Sequence, residues 1–235
     1  LERGKNYFSS EGKGSVEDFL KLADKLSKAV EGCGYYALPS GNHDLIRVSH
    51  NKTDSELAVA YAFLLTFDAI PIFYYGDEIG MKYQKIPTKD GGYVRTGSRL
   101  PMQWNDDKNA GFSTDEWTYY PAFIDKEHNV AAQNEREDSL LNTVKKLNML
   151  RAAHPALSAG AETKVVECQN GGYPLAYIRK YGEDVIYVAI NPGSLTCELE
   201  NKNITEDLLA VNAVRDGEKI TLNKNSFYIG KQRPE

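Results

Sequence analysis

Apolar residues recur at helical spacing from Ser15 to Glu31, where Val16, Phe19, Leu20, Ala23, Leu26 and Val30 share one face. Ser15 followed by Asp18 gives this helix a capping-box start, and Gly32 ends it. The short run "YYALP" (Tyr35–Pro39) then predicts a strand. Thr53 with Glu56 caps a second helix, "SELAVAYAFLLTF", which is apolar nearly all round and is therefore expected to be buried. A second strand, "AIPIFYY" (Ala69–Tyr75), follows at once, apolar on both faces like strands of a parallel sheet covered by helices. Helix, strand, helix, strand is the pattern of βα units.

From Lys82 to Glu135 the pattern predicts no regular element. Loops beyond about 12–15 residues in a compact domain are usually functional or disordered. The aromatic content of "RLPMQW" and "YYPAF" argues for order, with Trp104 expected to pack the loop. A third helix is predicted from Glu137 to Ala153, stopped by Pro155. After "HPALSAG" the character changes to short strands, "KVVEC", "PLAYIRKY", "DVIYVAINP", "CELE", "KITL" and "SFYIG", separated by turns such as "QNGGYP" and "YGED". The expected organisation is an α/β part over residues 1–159 and a small antiparallel all-β domain over residues 160–235.

Composition narrows the function classes. The 235 residues hold 28 Lys+Arg against 33 Asp+Glu, and a net charge of −5 gives no reason to expect nucleic acid. Fifteen tyrosines exceed the 8 Phe and 2 Trp; tyrosine suits sugar-binding surfaces as well as half-exposed sheet positions. Cys33, Cys168 and Cys197 form neither a zinc spacing nor a disulfide framework, which fits a reducing compartment. No apolar run is long enough to span a membrane and no signal peptide is visible, so a cytoplasmic location is expected.

Both predicted strands end in polar clusters, "GNHD" and "GDE". Strand ends of βα sheets gather functional groups on one side. Each cluster also has a plain structural reading. Asn, Asp and Gly dominate turns, with an Asx-type hydrogen bond, and acidic residues are favoured at helix starts.

"GNHDLIR", "GDEIGM", "RTGSRLPMQW", a helix, "LRAAHPAL" and a β tail, in that order, resemble the second half of the α-amylase superfamily. These are the retaining α-glucoside hydrolases and transglycosidases of glycoside hydrolase family thirteen. "RxxxRxPMQW" points to the α-glucosidase and oligo-glucosidase branch, which also holds trehalose synthases and sucrose isomerases. The resemblance implies an α/β plus all-β fold: about the last two strands and last three helices of a (β/α)8 barrel, then a small antiparallel β-sandwich.

By the same resemblance Asp44 matches the family's third catalytic carboxylate, which grips the hydroxyls at C2 and C3 of the sugar being cleaved. His43 matches its sugar-binding histidine. Arg47, Arg95 and Arg99 match substrate-binding arginines, Arg99 above all, although this chain has Leu45-Ile46 and Leu100 where the branch differs. Asp77 and Glu78 are expected to be structural, and His50, His128 and His154 receive no functional role. No metal site and no cofactor is expected here; the family's calcium sites lie mostly in the other half.

The implied partner is an α-linked gluco-oligosaccharide, with neither nucleic acid nor membrane involved. The family's nucleophile and acid/base come from earlier strands, and Glu2 and Glu11 lie in a polar stretch without strand pattern. The expectation is an α-glucosidase-type half that is inactive alone and self-associates through its exposed barrel strands. The alternatives are a trehalose synthase or sucrose isomerase type of transglycosidase, and a non-catalytic binding subunit of the same fold.

Overall fold

The capping box at Thr53 is complete. The Glu56 N–H donates to the Thr53 hydroxyl at 3.3 Å, and the Thr53 N–H donates to the Glu56 carboxylate at 2.9 Å. It opens helix α2 (Asp54–Thr66) in the computed structural model, which describes residues 6–11, 14–88, 93–168 and 172–234. Helix α1 (Glu17–Val30) precedes it without the expected capping box: its N-cap is Val16, which makes no side-chain cap, and the Ser15 hydroxyl accepts from Glu17 N–H at 3.1 Å. Glu2 and Gln169–Gly171 of the "QNGGYP" turn lie outside the described residues.

Strands β1 (Ala37–Pro39) and β2 (Ile70–Ile72) pair in parallel, with Ile70 N–H on the Tyr36 carbonyl at 3.0 Å and Ser40 N–H on the Ile72 carbonyl at 2.8 Å. The expected burial on both faces is not met, for Ile70 and Ile72 stand 43% and 49% exposed. Side chains alternate along a strand, and no described element covers the face that carries these two. Strand β2 is also shorter than its apolar run. Tyr74 leaves it to accept the Asp77 N–H in a turn.

The long segment after β2 is not wholly irregular. Helix α3 (Val130–Glu135) forms inside it because Asn129 caps it, its side chain accepting from Ala132 N–H at 2.8 Å. Helix α4 (Leu140–Ala153) begins later than expected, where the Ser139 hydroxyl accepts from Asn142 N–H.

The remainder is strand: β3 (Glu162–Glu167), β4 (Leu175–Tyr181), β5 (Asp184–Asn191), β6 (Cys197–Glu200), β7 (Ile204–Asp216) and β8 (Lys219–Gln232). All pair antiparallel in one six-stranded sheet, ordered β3-β4-β5-β8-β6 with β7 also on β8. Its core joins Ala176, Tyr187 and Ala189 of β4 and β5 to Ile220, Leu222 and Tyr228 of β8. Strand β8 is long enough for β6 to pair with its first residues and β5 with its last, while β7 runs along both stretches. The sequence had suggested "KITL" and "SFYIG" as separate strands. They are one strand, bent where Asn225 takes φ +49°, a left-handed conformation that asparagine tolerates. Strand β7 was missed because it is largely exposed and shifts register three times, so its sequence shows weak alternation.

Contacts divide the chain into two units, Leu1–Leu38 with Ala58–Pro71 and Lys146–Glu235, and Pro39–Leu57 with Ile72–Lys145. In the first, Phe19, Phe63, Phe67 and Tyr177 form a ring cluster with centroids 4.6–6.2 Å apart. Two arginines close the C-terminal end of α2 there. Arg151 donates to the Leu65 and Ala69 carbonyls, and the buried Arg179 donates to those of Thr66 and Ser158. Cations suit that helix end. Burial still pushes the Arg179 guanidinium down to about 10.

In the second unit, Ile79, Met81, Leu100, Met102 and Leu141 form the core. Buried Gln133 spans it, donating to the Ile79 carbonyl and accepting from Leu141 N–H. At the start of α2, His128 sits between Asp54 (3.2 Å) and Asp125 (3.0 Å), with Lys82 3.8 Å from Asp54. The hydrogen bond with Asp54, then the two carboxylate charges, raise the His128 pKa above its ordinary value. Burial raises Asp54, but the bond and charge of His128 outweigh it and leave that carboxyl low.

The signs follow by linkage. A raised histidine stabilises fully below its unfolded pKa, about 6.5, and loses that contribution as pH rises through the folded value. A lowered carboxylate stabilises above its unfolded pKa and loses that as pH falls through the folded one. Stability of this helix start is therefore expected to peak in mildly acid solution and decline through neutrality. Thermal midpoints measured from pH 5 to 8 should fall for the natural chain and stay flatter for His128→Gln; parallel curves would refute the assignment.

Candidate functional site

The stretch after β1 turns on itself: the Asn42 side chain accepts from Asp44 N–H at 2.8 Å. The Asx turn suggested by the residue types is present, and its effect is to present His43 and Asp44 outward. Both are exposed, Asp44 at 48% of its side chain. A second segment reaches the same place. Ser98 donates to the Leu45 carbonyl at 2.6 Å, Tyr74 to the Ser98 carbonyl at 3.2 Å and Tyr75 to the Leu100 carbonyl at 2.7 Å. These bonds set Arg95 and Arg99 beside Asp44.

Arg95 Nη1 and Arg99 Nη2 both donate to Asp44 Oδ1, at 3.0 and 3.1 Å. Arg99 Nε donates to the His43 carbonyl at 3.0 Å. The other carboxylate oxygen, Oδ2, lies 3.3 Å from His43 Nε2. One acceptor is therefore held by two guanidinium groups while the other faces an exposed imidazole. Such charge-assisted bonds are short and orienting. The arrangement fixes a half-exposed carboxylate next to several cationic donors, a chemistry suited to vicinal hydroxyl groups.

Arg47 is the candidate that the structure separates from this group, and its expected substrate-binding position is corrected. Its side chain is 0% exposed and donates to Asp77 Oδ1 at 3.0 Å and the Tyr75 carbonyl at 2.7 Å. Its guanidinium carbon lies 4.9 Å from the centroids of both Tyr74 and Tyr75, a cation–π sandwich. Asp77 Oδ2 accepts from Ser40 Oγ at 2.7 Å, and Ser40 Oγ accepts from Tyr74 N–H. Burial pushes the Asp77 carboxyl up, against the Ser40 bond and the Arg47 charge. Two apolar neighbours at 45 and 46 gave no sign that position 47 turns inward.

Gly76 is required between Tyr75 and Asp77. Its φ is +82°, and a Cβ there would stand 2.8 Å from Met81 Sδ and 3.3 Å from Arg47 Nη1. Sequence reasoning also missed an aromatic cleft in this unit. About 570 Å³ is lined by Tyr75, Trp104, Phe112 and Tyr119, with Glu78 and Arg99. Trp104 stands 49% exposed at this cleft. Burial raises the Glu78 carboxyl. Among the described residues no group of three or more His, Cys, Asp or Glu is placed to hold a metal ion, and no helix is long and apolar enough to cross a membrane.

Comparison with known proteins shows the family of the chain. Residues 5–160 match the family model "Alpha amylase, catalytic domain". The trehalose synthase/amylase TreS of Mycobacterium tuberculosis (strain CDC 1551 / Oshkosh) is 37% identical over 139 residues, 55% of this chain and 22% of that protein. The oligo-1,6-glucosidase of Parageobacillus thermoglucosidasius is 30% identical over 214 residues, 75% of this chain and 37% of that protein. The crystal structure of isomaltulose synthase (PalI) from Klebsiella sp. LX3 shares the fold, with a TM-score of 0.77 at 23% identity over 94% of this chain and 47% of that one. The chain thus spans less than half the length of each of these relatives. The matched residues contain His43, Asp44, Arg95 and Arg99, and the chain belongs to the alpha-amylase family.

Proposed function

We propose that this chain supplies the sugar-gripping side of a site that cleaves or transfers α-linked glucosyl units by a retaining mechanism. The observation that carries the reading is Asp44, held on one oxygen by Arg95 and Arg99 and facing His43 with the other. In glycoside cleavage charge develops at the anomeric carbon, and hydrogen bonds to the neighbouring hydroxyls strengthen as the ring flattens. A fixed, ionised Asp44 accepts those bonds, and His43 donates one. Arg99 is positioned to meet a further hydroxyl with the planar fork of its guanidinium. Arg47 acts beneath them, holding the turn after β2 through Asp77.

Residues 1–159 are read as the closing part of a (β/α)8 barrel, and residues 160–235 as its β domain. The relatives' printed activities, oligo-1,6-glucosidase and trehalose synthase/amylase, support hydrolysis and transfer alike within this class. The three cysteines, which form neither a zinc spacing nor a disulfide framework in the sequence, suit a cytoplasmic setting.

A retaining reaction needs a nucleophile and an acid/base about 5–5.5 Å apart. The family resemblance places both on other strands, so the purified chain is expected to bind simple α-glucosides weakly and to turn none over. Calorimetry with methyl α-glucoside should show binding that Asp44→Ala abolishes. Steady release of nitrophenol from an aryl α-glucoside, unchanged in Asp44→Ala, would sink the proposal.

A further inference from the structure

We infer that the cleft between the two free edges of the β sheet binds a small primary ammonium that also carries hydroxyl groups, an amino polyol. The inference stands on the β domain alone and is independent of the α-glucoside reading above. Strands β3 and β6 are the two ends of the order β3-β4-β5-β8-β6. Val166 and Glu167 of the one and Leu199 and Glu200 of the other nevertheless line one cleft, so the sheet curls until its edges face each other. Ile178 of β4 and Tyr187 of β5 line it too. Its volume of about 360 Å³ falls within the roughly 300–1,000 Å³ of ligand sites.

Two polar side chains of the lining are buried and incompletely paired. Tyr187 is 4% exposed and Gln232 is 3% exposed. Among the described residues the Tyr187 hydroxyl has no hydrogen-bond partner. Gln232 Oε1 accepts from Asn201 Nδ2 at 3.0 Å, while Gln232 Nε2 has no acceptor among the described residues. Buried polar groups are nearly always satisfied, by protein, by water or by a bound molecule. Burial, then the charge of Glu167, raises the Tyr187 phenol, so it keeps its proton and can donate.

The register sets Glu167 opposite Ala176 and Tyr187 opposite Ile178. Directly opposed residues share a face of the sheet. Ala176, Ile178 and Tyr187 belong to one apolar cluster, so Glu167 lies on the face that carries the phenol. Glu198 and Glu200 add acid at the rim. Glu198 pairs with Lys219 at 2.8 Å, but Glu167 and Glu200 have no ion pair among the described residues. A cleft lined by one sign of charge concentrates the opposite ion. These carboxylates are not placed to hold a metal ion. An ammonium meets them through charge-assisted hydrogen bonds. A plain amine would leave the Gln232 amide without an acceptor; a hydroxyl group accepts from it and from the Tyr187 hydroxyl. One ligand carrying both groups satisfies the lining.

The full chain is titrated by calorimetry at pH 7 and low salt with three probes. Glucamine joins an ammonium to a polyol chain, sorbitol lacks the charge, and butylamine lacks the hydroxyls. Glucamine is expected to fill one saturable site about tenfold more tightly than either of the others. Glu167→Gln should weaken it about tenfold, and Tyr187→Phe about fivefold, with unfolding curves close to that of the natural chain. Added salt should weaken it as well.

No saturable heat with glucamine would show that the cleft holds only water and would overturn the inference. Equal binding of sorbitol would make it a neutral polyol site, and equal binding of butylamine a site for charge alone; either result overturns the ligand class. Glucamine binding that Asp44→Ala abolishes and Glu167→Gln spares would belong to the Asp44 site and overturn the cleft. The α-glucoside reading is tested separately, by methyl α-glucoside, and survives or fails whatever the cleft binds.

Discussion

Asp77→Ala is expected to lower the stability of this chain by about 3–5 kcal/mol, the usual cost of removing one partner from a buried ion pair. For a chain of this size that corresponds to a fall in thermal midpoint of roughly 6–20 °C. The reason lies in Arg47, whose guanidinium is fully buried and has Asp77 as its anionic partner. Removing the carboxylate leaves the charge without compensation in a place that water cannot reach. It also frees Ser40, whose hydroxyl donates to Asp77 and accepts from Tyr74 N–H, so the turns after β1 and β2 lose their common tie. Arg47→Met alone should be costly for the mirror reason. The two changes together should cost much less than their sum, because no buried charge is left unpaired. Urea unfolding of the four chains gives the cycle directly. Additive losses would show that Arg47 and Asp77 are not coupled.

Short-range codes carried much of this fold openly. Thr53 and Glu56 name a helix start by themselves, because a capping box is closed by residues three apart. The helical spacing of α1 and α4 and the strands β4 and β5 were legible for the same local reason. The "NHD" and two-arginine motifs also identified the side chains that now meet, although 51 residues separate Arg95 from Asp44. That meeting was legible only through family resemblance, since nothing in the spacing brings a distant loop onto a strand end.

The failures are tertiary. Arg47 looks like any exposed charge after a turn, and only the depth of Asp77 and the two tyrosine rings turns it inward. Strand β7 carries bulges that break the period of two on which strand recognition depends. Helix α3 is too short for its periodicity to show, and its sign was Asn129 alone. Trp104 reads as a packing residue because tryptophan is highly buried on average; its backbone is tied to Ala110 and Ala131, and about half of its surface stays open.

In a complete barrel, made by joining this chain to the preceding portion of a family member, Asp44→Asn is expected to reduce kcat/KM on the order of 10³-fold. Contacts to the sugar hydroxyls that tighten in the transition state contribute several kcal/mol, and each 1.36 kcal/mol is about a factor of ten. The substitution keeps the shape of the side chain and removes its charge, so the weak ground-state contact survives better than the transition-state one. The loss should therefore fall mainly on kcat. Arg99→Ala should come second. Arg99 is 21% exposed and fastens Asp44 through two bonds, one to the carboxylate and one to the His43 carbonyl. Arg95→Ala should cost least, because its side chain is 40% exposed and Arg99 holds the same Asp44 oxygen. Steady-state rates on an aryl α-glucoside, measured against the unsubstituted chimera, order the three. A loss at Asp44→Asn of tenfold or less, or one confined to KM, would mean that Asp44 binds the sugar without stabilising its transition state.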